Sequence, residues 1–323
     1  MGYNETMQLP IPPPHIAHAG LRALLTVATA NKVLDDTSKE YLNAVQKHIL
    51  HTSFPLHDLQ PISPEELAHI VTDEAFRKRI IGGCVLMTLM SRHGMSEKQK
   101  VVGHFAKALH IDDENIRVLK HITHDNYMLA RLDIFRRFTA MDRIKHIFRE
   151  YGIRAPGHIL RALMAMRGNK KMAARYQALA QLPEDTLGHR YFKFIRTNQL
   201  SLPGEQGSPP EIIIIHDCIH VLAEYGTSVE EETQIAAFQG GMHRNDIFGM
   251  LLFTLLQFQL GQQIVSTAPS FKNKIQPDLW LAAYTRGTQL NTDLIATWEP
   301  QKDFETPVHV LRERFKIPAR STK

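Results

Sequence analysis

Apolar residues recur along most of this chain at intervals of three and four positions. Near the N-terminus, for example, Leu21, Leu24 and Leu25 share one face of a predicted helix. That spacing is typical of amphipathic helices, whereas half-buried strands alternate with a period of two. Such alternation is nearly absent, and the isoleucine run at 212–215 is the one β-branched segment that could form a strand. We therefore predict an all-α protein.

Breaks in the helical pattern divide the chain into two parts. Pro156-Gly157 interrupts the pattern after a long series of helical stretches, and this pair disfavours helix continuation. We predict two helical domains, residues 1–150 and residues 151–323. Beyond the break, helices are predicted at 158–180, 184–197, 243–266, 276–290 and 306–315, besides those of the segment 211–240.

The first predicted domain contains helix pairs of similar layout in tandem. Each pair is an apolar helix, a short polar turn and an amphipathic helix, a layout that resembles the tellurite-resistance TerB-like helical domain. In that family, acidic residues of the polar turns bind metal. The corresponding turns here contain Asn-Lys at 31–32 and His-Gly at 93–94 instead of Asp-Gly. We interpret Asp35, Asp36 and Glu40 as helix caps and solvated charges.

Composition and charge limit the classes of partner and the cellular setting that the sequence predicts. The net charge is +5 with a pI near 9.1, but basic residues are scattered and form no run that would indicate nucleic acid. The two cysteines, Cys84 and Cys218, form neither a CxxC pair nor a disulfide framework, which favours a reducing, cytoplasmic setting. The most apolar stretch, 247–260, is shorter than the roughly 20 residues that span a bilayer. Any membrane contact is therefore expected to be peripheral, at the inner face.

Candidate metal ligands lie in the segment 211–240. His216 and His220 are four residues apart, so a helix places both imidazoles on one face, one turn from each other. Asp217 lies about 100° further round, on the flank of that face. Cys218 points away and is expected to be packed in the interior.

A carboxylate from a second helix is expected to complete this group. Gly226 is predicted to end the first helix in the left-handed conformation. Thr227 or Ser228 can then cap the next helix, with Glu230 or Glu231 closing a capping box, and Glu232 can face back towards His220. Spacing alone also allows the alternative that these residues bind no metal, because HxxxH pairs occur by chance in a chain with 18 histidines. The consecutive glutamates could then simply favour a helix N-terminus.

The pattern HDxxH, eleven residues, then Glu resembles the signature of the ubiquinone (coenzyme Q) biosynthesis protein 4 family. It is complete here in His216, Asp217, His220 and Glu232. Further similar stretches follow the family's order over roughly residues 155–320: Leu182-Pro183, Leu187-Gly188, Tyr191, Phe194, Arg286-Gly287 and the segment 311–317. The resemblance implies that these four motif residues bind the metal.

The resemblance also implies a function in quinone biosynthesis. The expected ligand is an isoprenoid quinone precursor or polyprenyl lipid. The expected role is oxidative decarboxylation at ring C1 or organisation of other quinone-biosynthesis proteins, in a chain that could form a homo-oligomer. Two imidazoles and two carboxylates suit zinc, with iron or manganese as alternatives. The apolar stretch 247–260 is expected to border the lipid cavity near His216, unless it is simply a buried core helix.

Two other function classes remain open from the sequence. The first is an HD-type metal-dependent phosphohydrolase, because the motif HITHD adds His121, His124 and Asp125 to the available ligands. The order of the motifs fits that class poorly, and the segment 211–240 carries no Lys or Arg to bind phosphate. The second is a non-catalytic lipid-binding scaffold in which the metal is structural.

Overall fold

The computed structural model describes residues 10–130, 133, 168–208, 211, 214–243, 246, 248–264 and 269–320. Within these ranges the chain forms helices joined by turns and loops, without a strand. The prediction of an all-α protein is confirmed. The predicted boundary after residue 150 and the Pro156-Gly157 break lie outside the described residues.

Before residue 130 most helices begin at a polar cap. Asp35, Ser63, Asp73 and Asp113 each accept a hydrogen bond from a backbone N–H of the first turn that follows, which satisfies one of the free donors there. A π-helical turn, Gln46–Leu50, extends the second helix. The helices are α1 Pro14–Ala28, α2 Asp36–Val45, α3 Pro64–Ile70, α4 Glu74–Met90, α5 Met95–Ala108 and α6 Glu114–Thr123.

Beyond residue 168 the helices are shorter and more often interrupted. They are α7 Lys170–Gln177, α8 Leu187–Thr197, α9 Ile214–Ala223, α10 Val229–Met242, α11 Gly249–Thr254, α12 Pro277–Thr288, α13 Leu294–Thr297 and α14 Val308–Arg314. Ile214 and Ile215, from the one run that could have formed a strand, open α9 instead. Both are buried, and burial on a packed helix outweighs the small β preference of isoleucine.

Two glycines let α10 and α12 approach each other closely. A Cβ atom at Gly241 would lie 2.1 Å from the Tyr284 carbonyl oxygen, and one at Gly287 would lie 2.1 Å from the Phe238 carbonyl oxygen. Any larger residue would therefore push the two helices apart. This contact holds α10, which carries Glu232, against the centre of the fold.

Buried contacts also join the helices before residue 130 to those after residue 168. The ring of Phe248 fills the space beside Gly82. The Gln259 side chain donates to the Met90 carbonyl oxygen at 2.7 Å, and Arg92 donates to the Leu260 carbonyl oxygen at 3.0 Å. As a result α4 lies against the segment that follows α11.

The apolar stretch at 247–260 is an interior element. The helix α11 and the π-helical turn Leu255–Gln259 are buried along their whole length. The predicted single helix over 243–266 is therefore shorter than expected, because the π turn and the bridge between Leu260 and Lys272 end it early. Among the residues that the structure describes, no helix combines the length and the apolar character needed to cross a membrane.

Candidate metal centre

The turn between α9 and α10 brings the motif together. The left-handed residue is Glu224, with φ 61°, so the prediction for Gly226 is wrong. Gly226 instead leaves room for a carboxylate, because a Cβ there would lie 2.3 Å from Glu231 Oε2. Ser228 accepts from the Glu231 N–H at 3.2 Å and caps α10, as predicted. This cap fixes the first turn of α10, from which the helix returns past α9.

Three of the predicted ligands converge across that turn. His216 Nε2 lies 3.1 Å from His220 Nε2. Glu232 places Oε2 at 3.7 Å from the first of these nitrogens and Oε1 at 3.5 Å from the second. One ligand atom from each residue falls within 4.8 Å of the other two. A search of the described residues for three or more His, Cys, Asp and Glu side chains close enough to share an ion finds this group and no other.

The surroundings of His220 set its tautomer. Its side chain is 1% exposed, and the ring packs against Phe194 with centroids 5.3 Å apart. Nδ1 donates to the Tyr225 carbonyl oxygen at 3.2 Å, so Nε2 keeps its lone pair and aims it at the group. A metal-binding histidine is commonly oriented in this way by a bond from its other nitrogen.

Gln239 holds the other imidazole. Its side-chain amide lies 2.8 Å from His216 Nδ1, and the glutamine is buried. The two ends of the amide are alike in shape, so a half-turn of the group places Oε1 against Nδ1. In that arrangement Nδ1 donates, and His216 Nε2 keeps its lone pair for a metal.

Charge in the group is shared between His216 and Glu232. Burial would lower the pKa of His216, but the bond and charge of Glu232 raise it above its ordinary value. Burial would likewise raise the pKa of Glu232, yet His216 holds it below its usual range. Burial and the nearby charge of His216 lower the pKa of His220 to about 4. Without a metal, the raised pKa therefore favours the imidazolium form of His216, opposite an ionised Glu232.

Asp217 lies beside the converging atoms rather than among them. Burial raises the pKa of its carboxyl to about 6; His216 opposes that shift and Glu232 adds to it. Asp217 also adds to the effect of burial in raising the pKa of Tyr191 on α8. The structure thus brings together three of the four predicted ligands and places the fourth within their electrostatic reach.

Two contributors to the site were absent from the sequence prediction. Gln239 is seven residues after Glu232, two helical turns along the same face, so periodicity could have identified it. Tyr225 acts through its backbone carbonyl, and no side-chain pattern signals such a role.

The other candidate ligands lie elsewhere in the structure. In the HITHD motif, His124 Nδ1 bonds the Lys120 carbonyl oxygen at 2.8 Å, and His121 lies 3.8 Å from Asp133. Neither they nor Asp125 belong to the converging group. Cys218 is fully buried, as predicted, and Asp35 is a helix cap.

No family model matches this chain, and a search of curated proteins gives no match.

Proposed function

We propose that this chain is a metal-binding protein of isoprenoid quinone biosynthesis, with zinc held by His216, His220 and Glu232 and with Asp217, the fourth residue of the predicted ligand set, beside it. Its ligand would be a polyprenyl quinone precursor. Its role would be oxidative decarboxylation at ring C1 or organisation of the other pathway enzymes. The observation that carries the metal assignment is the convergence of two imidazole Nε2 atoms and one carboxylate within 4.8 Å.

The chemistry of this donor set fits zinc. Two imidazoles and a carboxylate are a recurrent set at catalytic zinc centres, where a fourth position is left for water or substrate. Iron and manganese accept the same donors. Bound here, the metal would supply Lewis acidity or activate a bound water. The chain itself would orient both imidazoles, through Tyr225 and Gln239, and would exclude water from His220 by packing Phe194 against it.

The lipid part of the proposal rests on the family resemblance. Phe248 and Leu251, from the apolar stretch 247–260, border a cavity, but none of the three converging residues lines it. The cavity that these residues border is therefore not the one expected beside His216. We further propose peripheral contact with the inner face of a membrane, where such lipids reside.

The two-domain organisation belongs to the same proposal, with residues 1–150 as a TerB-like helical domain and 151–323 as the metal-binding domain. Limited proteolysis of the intact protein tests it. We expect the first cleavage near Pro156-Gly157, whereas first cleavage inside α1–α6 or α8–α12 would contradict the boundary.

The phosphohydrolase alternative has no observation in its favour, because the described HITHD side chains do not join the metal group. Hydrolysis of nucleotides with added Mn²⁺ or Zn²⁺, abolished by Asp217→Ala, would overturn the quinone proposal in its favour. A scaffold with a structural metal differs from the enzyme in one measurable way. Metal removal would then lower the melting temperature without changing any turnover of a quinone precursor.

Metal analysis and lipid mass spectrometry of the purified protein test the proposal directly. We expect about one divalent ion per chain in the wild type and loss of that ion in His220→Ala. The control is Glu230→Gln, because Glu230 lies on the first turn of the same helix but pairs with Lys274. Equal metal content in wild type and His220→Ala would refute the site. Co-purification of polyprenyl quinone precursors would support the assigned ligand, and their absence after expression in quinone-producing cells would count against it.

A further inference from the structure

A second site lies in the cavity between α1, α2, α4, α11 and α12. The volume open to water-sized molecules is about 100 Å³, and the whole recess with its mouth is about 780 Å³. Most of its wall is aliphatic, with Ile16, Leu24, Leu86 and Leu251 among the lining residues. Apolar cavities of about 150 Å³ stay dry and take up apolar molecules, so this one suits a hydrocarbon chain.

Three polar side chains interrupt this apolar wall. They are Tyr41 on α2, Arg79 on α4 and Tyr284 on α12. Both tyrosine rings are almost fully buried, and the two side chains line the cavity. Within the described part of the chain neither hydroxyl bonds another protein group, and neither is among the fully enclosed polar atoms that lack a partner. Both hydroxyls can therefore bond a molecule in the cavity.

Arg79 gives this end of the cavity its charge. The guanidinium is half-buried, donates to the Pro10 carbonyl oxygen and lies 5.6 Å from the centre of the Phe76 ring. No carboxylate of the described residues lies within ion-pair distance of it. Burial lowers the pKa of Arg79 and raises that of Tyr284, and each of the two groups opposes the shift of the other. The cation and the hydroxyl both line this cavity.

We propose that this cavity binds the carboxylate of a single-chain fatty acid, with its two oxygens on Arg79, Tyr284 and Tyr41 and its tail among the aliphatic residues. A guanidinium is planar and matches a carboxylate with two parallel bonds. One cation balances one carboxylate, whereas a phosphate monoester would bring nearly two charges. This site is separate from the metal centre, and the proposal does not depend on it.

Calorimetric titration of the full-length protein with hexanoate, octanoate, decanoate and dodecanoate tests the tail. We expect affinity to rise by about fourfold for each added methylene until the cavity is full. Gly83→Met should block binding, because Gly83 lines the cavity and a Cβ there meets only Leu24, at 3.4 Å. The matched control is Gly103→Met, on α5, where a Cβ meets nothing within 4 Å. Circular dichroism checks that both variants fold.

Arg79→Gln tests the head group. It should weaken dodecanoate by about tenfold or more, as expected for a bond to a charged group, and leave dodecanol within about twofold. Lys78→Gln removes the same charge from the solvent-facing neighbour, which pairs with Glu74, and should change neither ligand. His220→Ala should bind dodecanoate as tightly as the wild type does. A failure of the metal proposal can therefore be distinguished from a failure of the fatty-acid proposal.

Three results would overturn the fatty-acid proposal. The first is absence of binding by any of these carboxylates. The second is an equal loss of dodecanoate and dodecanol affinity in Arg79→Gln, since that would show a purely structural role. The third is tighter binding of dodecyl phosphate than of dodecanoate, which would assign the head group to phosphate instead.

Discussion

Each half of the chain buries a polar cluster, and the two clusters differ in how their charges are satisfied. Before residue 130, Lys98 is 0% exposed and its Nζ lies 3.8 Å from Asp35 Oδ2. Beyond residue 168, the Nε2 atoms of His216 and His220 face each other and Glu232. The first cluster contains one cation and one anion. The second contains three groups that can donate an electron pair to a metal, and without a metal a single proton on His216 offsets the charge of Glu232.

This difference distinguishes a structural pair from a ligand set. Asp35 has a second task, because Oδ1 accepts from the Ser38 N–H at 2.8 Å and caps α2. Its other oxygen, Oδ2, faces Lys98 as an ion pair without a hydrogen bond. In the second cluster protonated His216 balances Glu232, but the buried Nε2 of His220 is left without a partner of opposite charge, since burial disfavours a proton on it. Burial of charge alone therefore does not identify a binding site. What identifies one is the convergence of several nitrogen and oxygen atoms that can each donate a lone pair to the same cation.

Removing the anion of the first cluster should have the largest effect. Asp35→Asn preserves a good helix cap but leaves the Lys98 ammonium buried without a counter-charge. We expect the free energy of unfolding to fall by about 3 kcal/mol, measured by urea denaturation. Asp36→Asn, at the exposed neighbouring position, should change it by less than about 0.5 kcal/mol. Equal effects of the two changes would erase the distinction between the clusters.

Disturbing the support of the second cluster should cost metal affinity rather than fold. Gln239→Leu removes the bond to His216 Nδ1 and should weaken zinc binding by about tenfold or more, measured by competition with a chelating dye. Gln234→Leu, on the same helix, is the matched control, since its amide nitrogen bonds the Glu230 carbonyl oxygen. An unchanged zinc affinity in Gln239→Leu would mean that His216 needs no such support.

The pH dependence of zinc binding sharpens the comparison further. Metal and proton compete for His216, whose pKa lies above its ordinary value. Apparent affinity should therefore rise with pH by up to about tenfold per unit through the neutral range and level off once His216 is deprotonated. His220, with a pKa of about 4, should contribute only in acid. A flat profile from about pH 6 to pH 8 would show that no ligand carries a proton there.

An exposed ion pair should have the smallest effect. Asp278 on α12 bonds Lys47 at 2.9 Å and His48 at 2.8 Å, and thereby links the π-helical turn after α2 to α12. Because its side chain is 53% exposed, Asp278→Asn should lower the free energy of unfolding by less than about 1 kcal/mol. A loss as large as that of Asp35→Asn would show that burial does not explain the difference in stability between the Asp35–Lys98 pair and the Asp278 pairs.

Several features of the fold could be predicted from short stretches of sequence. Ser228 was one of two residues expected to cap α10, and it does so, because a cap bonds the backbone of its own first turn. His216 and His220 were expected on one helical face, and spacing alone requires that. The turn between α9 and α10 was also predicted, although not its left-handed residue, because packing decides which residue absorbs the turn.

The sequence by itself determined the helical class, most helix starts and the pairing of the two histidines, since each of these depends on neighbours within one or two turns. The family motif also pointed to Glu232 as the carboxylate that faces them. Only the tertiary structure decided that Gln239 supports His216 and that Asp217 stands aside. It also decided that Tyr41, Arg79 and Tyr284 meet in one cavity. Those relations arise where separate helices cross, and their geometry depends on close contacts such as Gly241 against Tyr284, which no local pattern encodes.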